Sequence, residues 1–193
     1  MAASRAAVAL IVCLAGFSCP AAAETAVPPI WPQLQGIFPR GARQGTEIRV
    51  TLKGRNLQDA DQIVFNTPKL KGRILKAGAY EVEALITVDA TAEPGRHDLR
   101  LLAPHGSAIG YFDVGTLPER NEVEPNDSIG KAEPLAFPAV VNGILKQGDY
   151  DHYKFEVRAG ETLLFDVLAT RNGANTDSVL SILDQTGEEI AYS

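Results

Sequence analysis

The chain reads as all-β, two consecutive β-sandwich modules behind an export signal. Three observations predict this. The 193 residues include 17 Gly and 12 Pro, enough to punctuate many turns. Short apolar runs recur between those turns, with the two-residue alternation of half-buried strands. No stretch of ten or more residues keeps a 3.6-residue apolar period. The net charge of −6 argues against a nucleic-acid partner, whose phosphates demand a basic face.

Residues 1–23 carry the parts of a secretory signal peptide: Arg5, the apolar run Ala6–Phe17, and the small-residue site Ala21-Ala22-Ala23. Twelve apolar residues are too few to span a bilayer, and no other run approaches that length, so no transmembrane segment is expected in the mature chain. Both cysteines, Cys13 and Cys19, lie inside this segment. The expected destination is secreted, periplasmic or cell-envelope. The mature chain then reaches an oxidising compartment without a disulfide, and must be stabilised by its core, a metal or a larger assembly.

Residues 24–33 hold three prolines and read as an extended lead-in. Residues 34–115 read as a β-sandwich with strands at Leu34–Phe38, Glu47–Leu52, Gln62–Phe65, Arg73–Lys76, Val82–Val88, Arg96–Leu102 and Ala108–Val114. Ile48, Val50 and Leu52 alternate with Glu47, Arg49, Thr51 and Lys53, which face away. Gly41, Gly45, Gly54, Asn56, Pro94-Gly95 and His105-Gly106 mark the turns.

Residues 116–129 form a polar, acidic linker. Residues 130–193 read as a second sandwich with strands at Val140–Leu145, His152–Val157, Thr162–Ala169 and Ser178–Leu183, and a further one at Glu188–Tyr192. The run stops as a hairpin returns, so this module is expected to be a piece of a longer one.

Glu122-Val-Glu124-Pro125-Asn126-Asp127-Ser128, followed by Val141-Asn-Gly143, Gly148-Asp149-Tyr-Asp151-His-Tyr153-Lys-Phe155 and Asp177-Ser-Val-Leu180, resembles the bacterial pre-peptidase C-terminal domain. The resemblance covers residues 122–193. It implies a β-sandwich or jelly-roll accessory module of secreted enzymes and large exported proteins, with no active site of its own. Ile37-Phe-Pro39, Gly45 to Val50, Gly54-Arg-Asn56-Leu57, Ile63-Val-Phe65 and Pro94-Gly95 resemble a TIG-type immunoglobulin-like module.

Glu122, Glu124, Asn126 and Asp127, with Asp149 and Asp151, are the candidate metal ligands. Glu-x-Glu places two carboxylates on one side of an extended segment, and Asp149 and Asp151 repeat that spacing. Carboxylates brought together repel unless a cation lies between them, and calcium takes six to eight oxygens. The residues alone fit a solvated acidic linker as well as a calcium site. The resemblance adds weight to calcium, since matching positions in collagenase members of that family bind it. Asn126-Asp-Ser128 is also a glycosylation sequon, although its turn-forming residues suffice to explain it.

No Gly-x-Ser-x-Gly, His-Glu-x-x-His or phosphate loop occurs, and the mature chain has no cysteine nucleophile. His97, His105 and His152 read as surface or turn residues. Trp31 is expected to pack the lead-in onto the first module. The function that follows is a non-catalytic binding, spacer or targeting region of a larger extracellular bacterial protein, with an extracellular protein or polysaccharide as ligand. The alternative is an accessory or propeptide-like region of a secreted peptidase or other hydrolase. Nothing in the sequence sets the oligomeric state.

Overall fold

The computed structural model describes residues 31–145, 148–168 and 178–193. The signal-peptide reading and most of the lead-in lie outside them. The first unit is one eight-stranded sheet curled around a single core. Its strands are β1 (Gln33–Phe38), β2 (Gly41–Arg43), β3 (Glu47–Arg55), β4 (Gln62–Phe65), β5 (Leu70–Ala77), β6 (Glu81–Val88), β7 (Gly95–Ala103) and β8 (Gly106–Gly115). Their order is β1-β3-β6-β5-β4-β7-β8-β2.

That order is the connectivity of an immunoglobulin-like β-sandwich whose first strand divides between the two faces. β1 runs antiparallel to β3, and β2 runs parallel to β8. Pro39, between them, has no N–H to continue the ladder. Gly41 then approaches Asp113 so closely that a Cβ would lie 2.5 Å from its carbonyl oxygen. Gly41, expected at a turn, instead begins β2, a strand whose three residues show no periodicity in the sequence.

The core is built by alternation. Val50 and Leu52 of β3, Val82, Ala84, Ile86 and Val88 of β6, Leu99 and Leu101 of β7, and Phe112 and Val114 of β8 are all buried. Phe65 meets Phe112 edge-on, with ring centroids 6.1 Å apart. Gly110 leaves room for Leu34 and Ile37, so β1 packs across β8 and draws the curled sheet toward closure.

The weak seam lies between β4 and β5, which share a single register pair, Ile63 with Gly72. The Ile63 side chain occupies the space that a Cβ on residue 72 would need, at 2.5 Å. Beyond Gly72, β5 runs on with β6 alone. A bulge between Ile74 and Lys76 and the outward Arg73 and Lys76 disfavour edge pairing there.

His97 corrects the expectation for the histidines. It is buried, its Nε2 donates to the Glu93 carbonyl at 2.8 Å, and its Nδ1 lies 3.3 Å from Asn66 Oδ1. It shares the inward parity of Leu99 and Leu101, a signal present in the sequence. Trp31 is tied to the first unit through its carbonyl, which accepts from Asn56 Nδ2 at 3.2 Å, while more than half of the residue stays exposed.

The second half departs further from expectation. Among the described residues it holds β9 (Glu119–Asn121), a 3-10 turn (Ile129–Lys131), β10 (Glu133–Pro134), β11 (Val140–Asn142), β12 (Tyr153–Lys154), β13 (Ser181–Leu183) and β14 (Glu189–Tyr192). They pair only in twos: β9 with β11, β10 with β12, and β13 with β14. The expected strand at Thr162–Ala169 is not formed over 162–168, and position 169 lies outside the described residues. A second sandwich over 130–193 is therefore not assembled among them. Ala132 is the sole buried hydrophobic residue described there. Phe137, Phe155 and Phe165 form a small ring cluster with centroids 5.2–5.8 Å apart, too little to serve as a sandwich core. The alternation is present, but each strand finds one partner at most, and its apolar face lacks an opposing sheet.

Candidate functional site: an acidic cluster around Asn126

The segment expected as a linker is held in place. β9 lies parallel to β11, with Glu119 opposite Val140 and Asn121 opposite Asn142. Glu122 N–H donates to the Asn142 carbonyl at 3.0 Å, and the Asn126 carbonyl accepts from His152 N–H at 3.0 Å. These bonds bring the Glu122–Asp127 segment against the Asp149–His152 segment, which lie about 25 residues apart in sequence.

Glu124, Asp127 and Asp149 each present a carboxylate oxygen within 4.8 Å of the others. Glu124 and Asp127 are exposed and Asp149 is half-buried. Glu124 Oε2 also accepts from the Asn126 N–H at 3.0 Å, which fixes the turn between the first two acids.

Asn126 sits within this turn and is 0% exposed. Neither its Oδ1 nor its Nδ2 has a hydrogen-bond partner. A buried amide left unpaired costs about 1–3 kcal/mol per group, so such side chains are normally satisfied. Asp151 Oδ1 is likewise buried without a partner. The same burial closes the Asn126-Asp-Ser128 sequon to modification in the folded chain.

Glu122 is the predicted ligand that the structure places elsewhere. One carboxylate oxygen accepts from Ile144 N–H at 2.6 Å and the other from Tyr153 OH at 3.4 Å. Gly143 permits this, because a Cβ there would lie 2.5 Å from Glu122 Oε2. Glu122 thus locks the end of β11, outside the triad. Asp151 stands between the two groups. Burial first, then the charges of Glu122 and Asp149, push its carboxyl up to about 6. The Tyr153 phenol is pushed up too, by burial and then by Asp151 and Glu122. Arg120 and Val123 N–H hold the buried Glu133 carboxylate, and so fix the strand that leads into the cluster.

Of the six predicted ligands, then, Glu124, Asp127 and Asp149 converge, Asn126 and Asp151 hold buried unpaired oxygens in the same two segments, and Glu122 accepts from Ile144 N–H and the Tyr153 hydroxyl. The donor set is all oxygen and mostly anionic, the chemistry of a hard cation such as calcium. Asn126 lies between Glu124 and Asp127 in sequence and Asp151 two residues past Asp149, and both keep buried side-chain oxygens without a partner. Sequence spacing could suggest the acids but not the division of labour, which depends on the β9–β11 pairing.

No protein-family model matches the chain, and no curated protein matches it in sequence. Among solved structures, it is similar to the Bacteroides ovatus mixed-linkage glucan utilization locus SGBP-B, solved in complex with a mixed-linkage heptasaccharide. Identity is 18% over 48% of this chain and 24% of the other, with a TM-score of 0.35. It is also similar to the M1 domain from titin, at 14% identity over 39% of this chain and 82% of the other, with a TM-score of 0.26. The chain spans about a quarter of the length of the first of these.

Proposed function

We propose that this chain is an exported, non-catalytic binding or spacer region of a larger extracellular protein, in which a calcium ion orders the acidic segment after the first sandwich. The observation that carries the reading is the buried, unpaired side chain of Asn126 beside the Glu124–Asp127–Asp149 triad. A cation would draw together carboxylates that otherwise repel, and would give the amide oxygen a partner. Glu124, Asp127 and Asp149 would supply charge, and Asn126 Oδ1 and Asp151 Oδ1 further oxygens. The role is architectural. The acidic segment leaves the sandwich at Gly115, and a cation fixing it to the 149–152 segment would set how the following chain departs.

The absence of a nucleophile, base and oxyanion arrangement in the sequence supports a non-catalytic role. Export rests on the 1–23 signal, and an extracellular protein or polysaccharide ligand follows from that destination. Isothermal titration with calcium tests the site. The expected result is one saturable event in the purified chain, lost in Asp127→Asn/Asp149→Asn with the sandwich still folded. No binding at millimolar calcium, or binding unchanged in the double variant, would overturn the reading.

A further inference from the structure

The charge of the chain is unevenly divided, and the fold gathers much of the positive part on one face. Residues 31–115 carry eleven Lys and Arg against nine Asp and Glu, while residues 116–193 carry six against fourteen. An overall acidic chain is therefore a slightly basic sandwich followed by a strongly acidic unit.

Strand parity decides where the cations of the sandwich go. Val50 and Leu52 point into the core from β3, so Arg49, Lys53 and Arg55 point out. Leu70 points inward from β5, with Ile74 and Ala77 packed on the core. The bulge after Ile74 restores an outward position at Lys76, alongside Lys71 and Arg73. β6 lies between these strands, so all six cations share the outer face of β3-β6-β5. Register sets Arg49 and Arg73 on either side of the half-buried Leu85.

The acids on this face are Glu47, Glu81 and Glu83. Glu83 pairs with Arg49 at 3.2 Å, and Glu47 accepts from the Thr87 hydroxyl at 2.9 Å. The side chains of Lys53, Arg55, Lys71, Arg73 and Lys76 are exposed and have no ion pair among the described residues.

We propose that this basic face docks the acidic second unit of another copy of the chain, giving head-to-tail association. The occupant is fixed by charge complementarity, since the same molecule carries both signs on separate units. The contact is heterologous: the two surfaces differ, so the addition of one copy leaves a free face for the next. Single exposed ion pairs contribute little, and the association depends on several acting together. It must therefore weaken steeply as salt shortens the Debye length from about 30 Å at 0.01 M to about 3 Å at 1 M.

Sedimentation of the purified chain, with chelator present so that metal bridging plays no part, tests this. At about 0.01 M salt, the weight-average mass is expected to rise with concentration past the dimer, and at about 1 M it falls to the monomer. Arg73→Glu/Lys76→Glu, with an unchanged unfolding midpoint, is expected to stay monomeric. It should regain association on mixing with a Glu156→Lys/Glu188→Lys variant, whose second unit is then less acidic. A monomer at every salt and concentration overturns the proposal. So does association that the charge reversal leaves intact, and so does capture of polyglutamate by a chain that remains monomeric. The association is read with chelator present and calcium binding by titration, so the failure of one is distinguishable from the failure of the other.

Discussion

At the scale of single residues, a few positions are set by contact rather than by propensity. Gly72 faces Ile63 at the one register pair that joins β4 to β5. Gly72→Val forces either strand to move, and we expect a loss of about 1–3 kcal/mol, the usual cost of overpacking, read as a lower denaturant midpoint. Phe112, fully buried and edge-on to Phe65, should cost about 3–5 kcal/mol as Phe112→Ala. Glu119 gives a prediction of a different kind. Burial first, and then the charge of Asp113, hold its carboxyl above the usual range, against the bond from Asn142 Nδ2. A carboxyl whose folded pKa is raised favours folding at low pH, and this contribution is lost as pH rises from its unfolded value through its folded one. Glu119→Gln keeps an acceptor for Asn142 and removes the charge. The variant should therefore melt higher than the parent at pH 7, with the difference shrinking toward pH 4. An equal difference at both values would show that charge is not the cause.

At the scale of elements, seven strands of the first unit were legible from short apolar runs between turn residues, and most keep inward apolar residues at alternate positions, β1 and β5 being interrupted by bulges. Val50 and Leu52 show this, as do Leu99 and Leu101. β2 was not legible. Its three residues are placed by parallel pairing with β8, a long-range fact that local pattern does not carry. β9 hid for the same reason inside a segment whose charge reads as linker. The Phe155 and Phe165 strands illustrate the opposite failure. Their alternation is real, yet without an opposing sheet the first shrinks to a two-residue ladder and the second forms none over 162–168, with Val157 and Val167 left exposed. The acids of the candidate site were legible as residue types. Their grouping was not, because Glu122 and Glu124 have the same local chemistry, and only the Ile144 and Tyr153 donors distinguish them. Hydrogen exchange should divide the chain along these lines. Amides of β3, β6 and β7 are expected to exchange by global unfolding, and those of β9 to β14 orders of magnitude faster in the absence of metal. Equal protection in both sets would refute the division.

At the scale of the whole molecule, stability and function meet at the acidic cluster. The first unit has a contiguous apolar core, whereas the described part of the second has one buried hydrophobic residue and a trio of phenylalanines. A unit with so little core gains most from a bound ion, because ligand that binds only the folded state adds to its stability directly. Thermal unfolding of the chain in calcium and in chelator, followed by a probe of the second unit such as its tyrosine signals, is the most direct measurement of this account. With calcium at about one hundred times its dissociation constant, that unit should gain about 2.7 kcal/mol and unfold at a higher temperature, while the first sandwich changes little. Identical transitions with calcium and with chelator, in a folded sample at millimolar calcium, would contradict it.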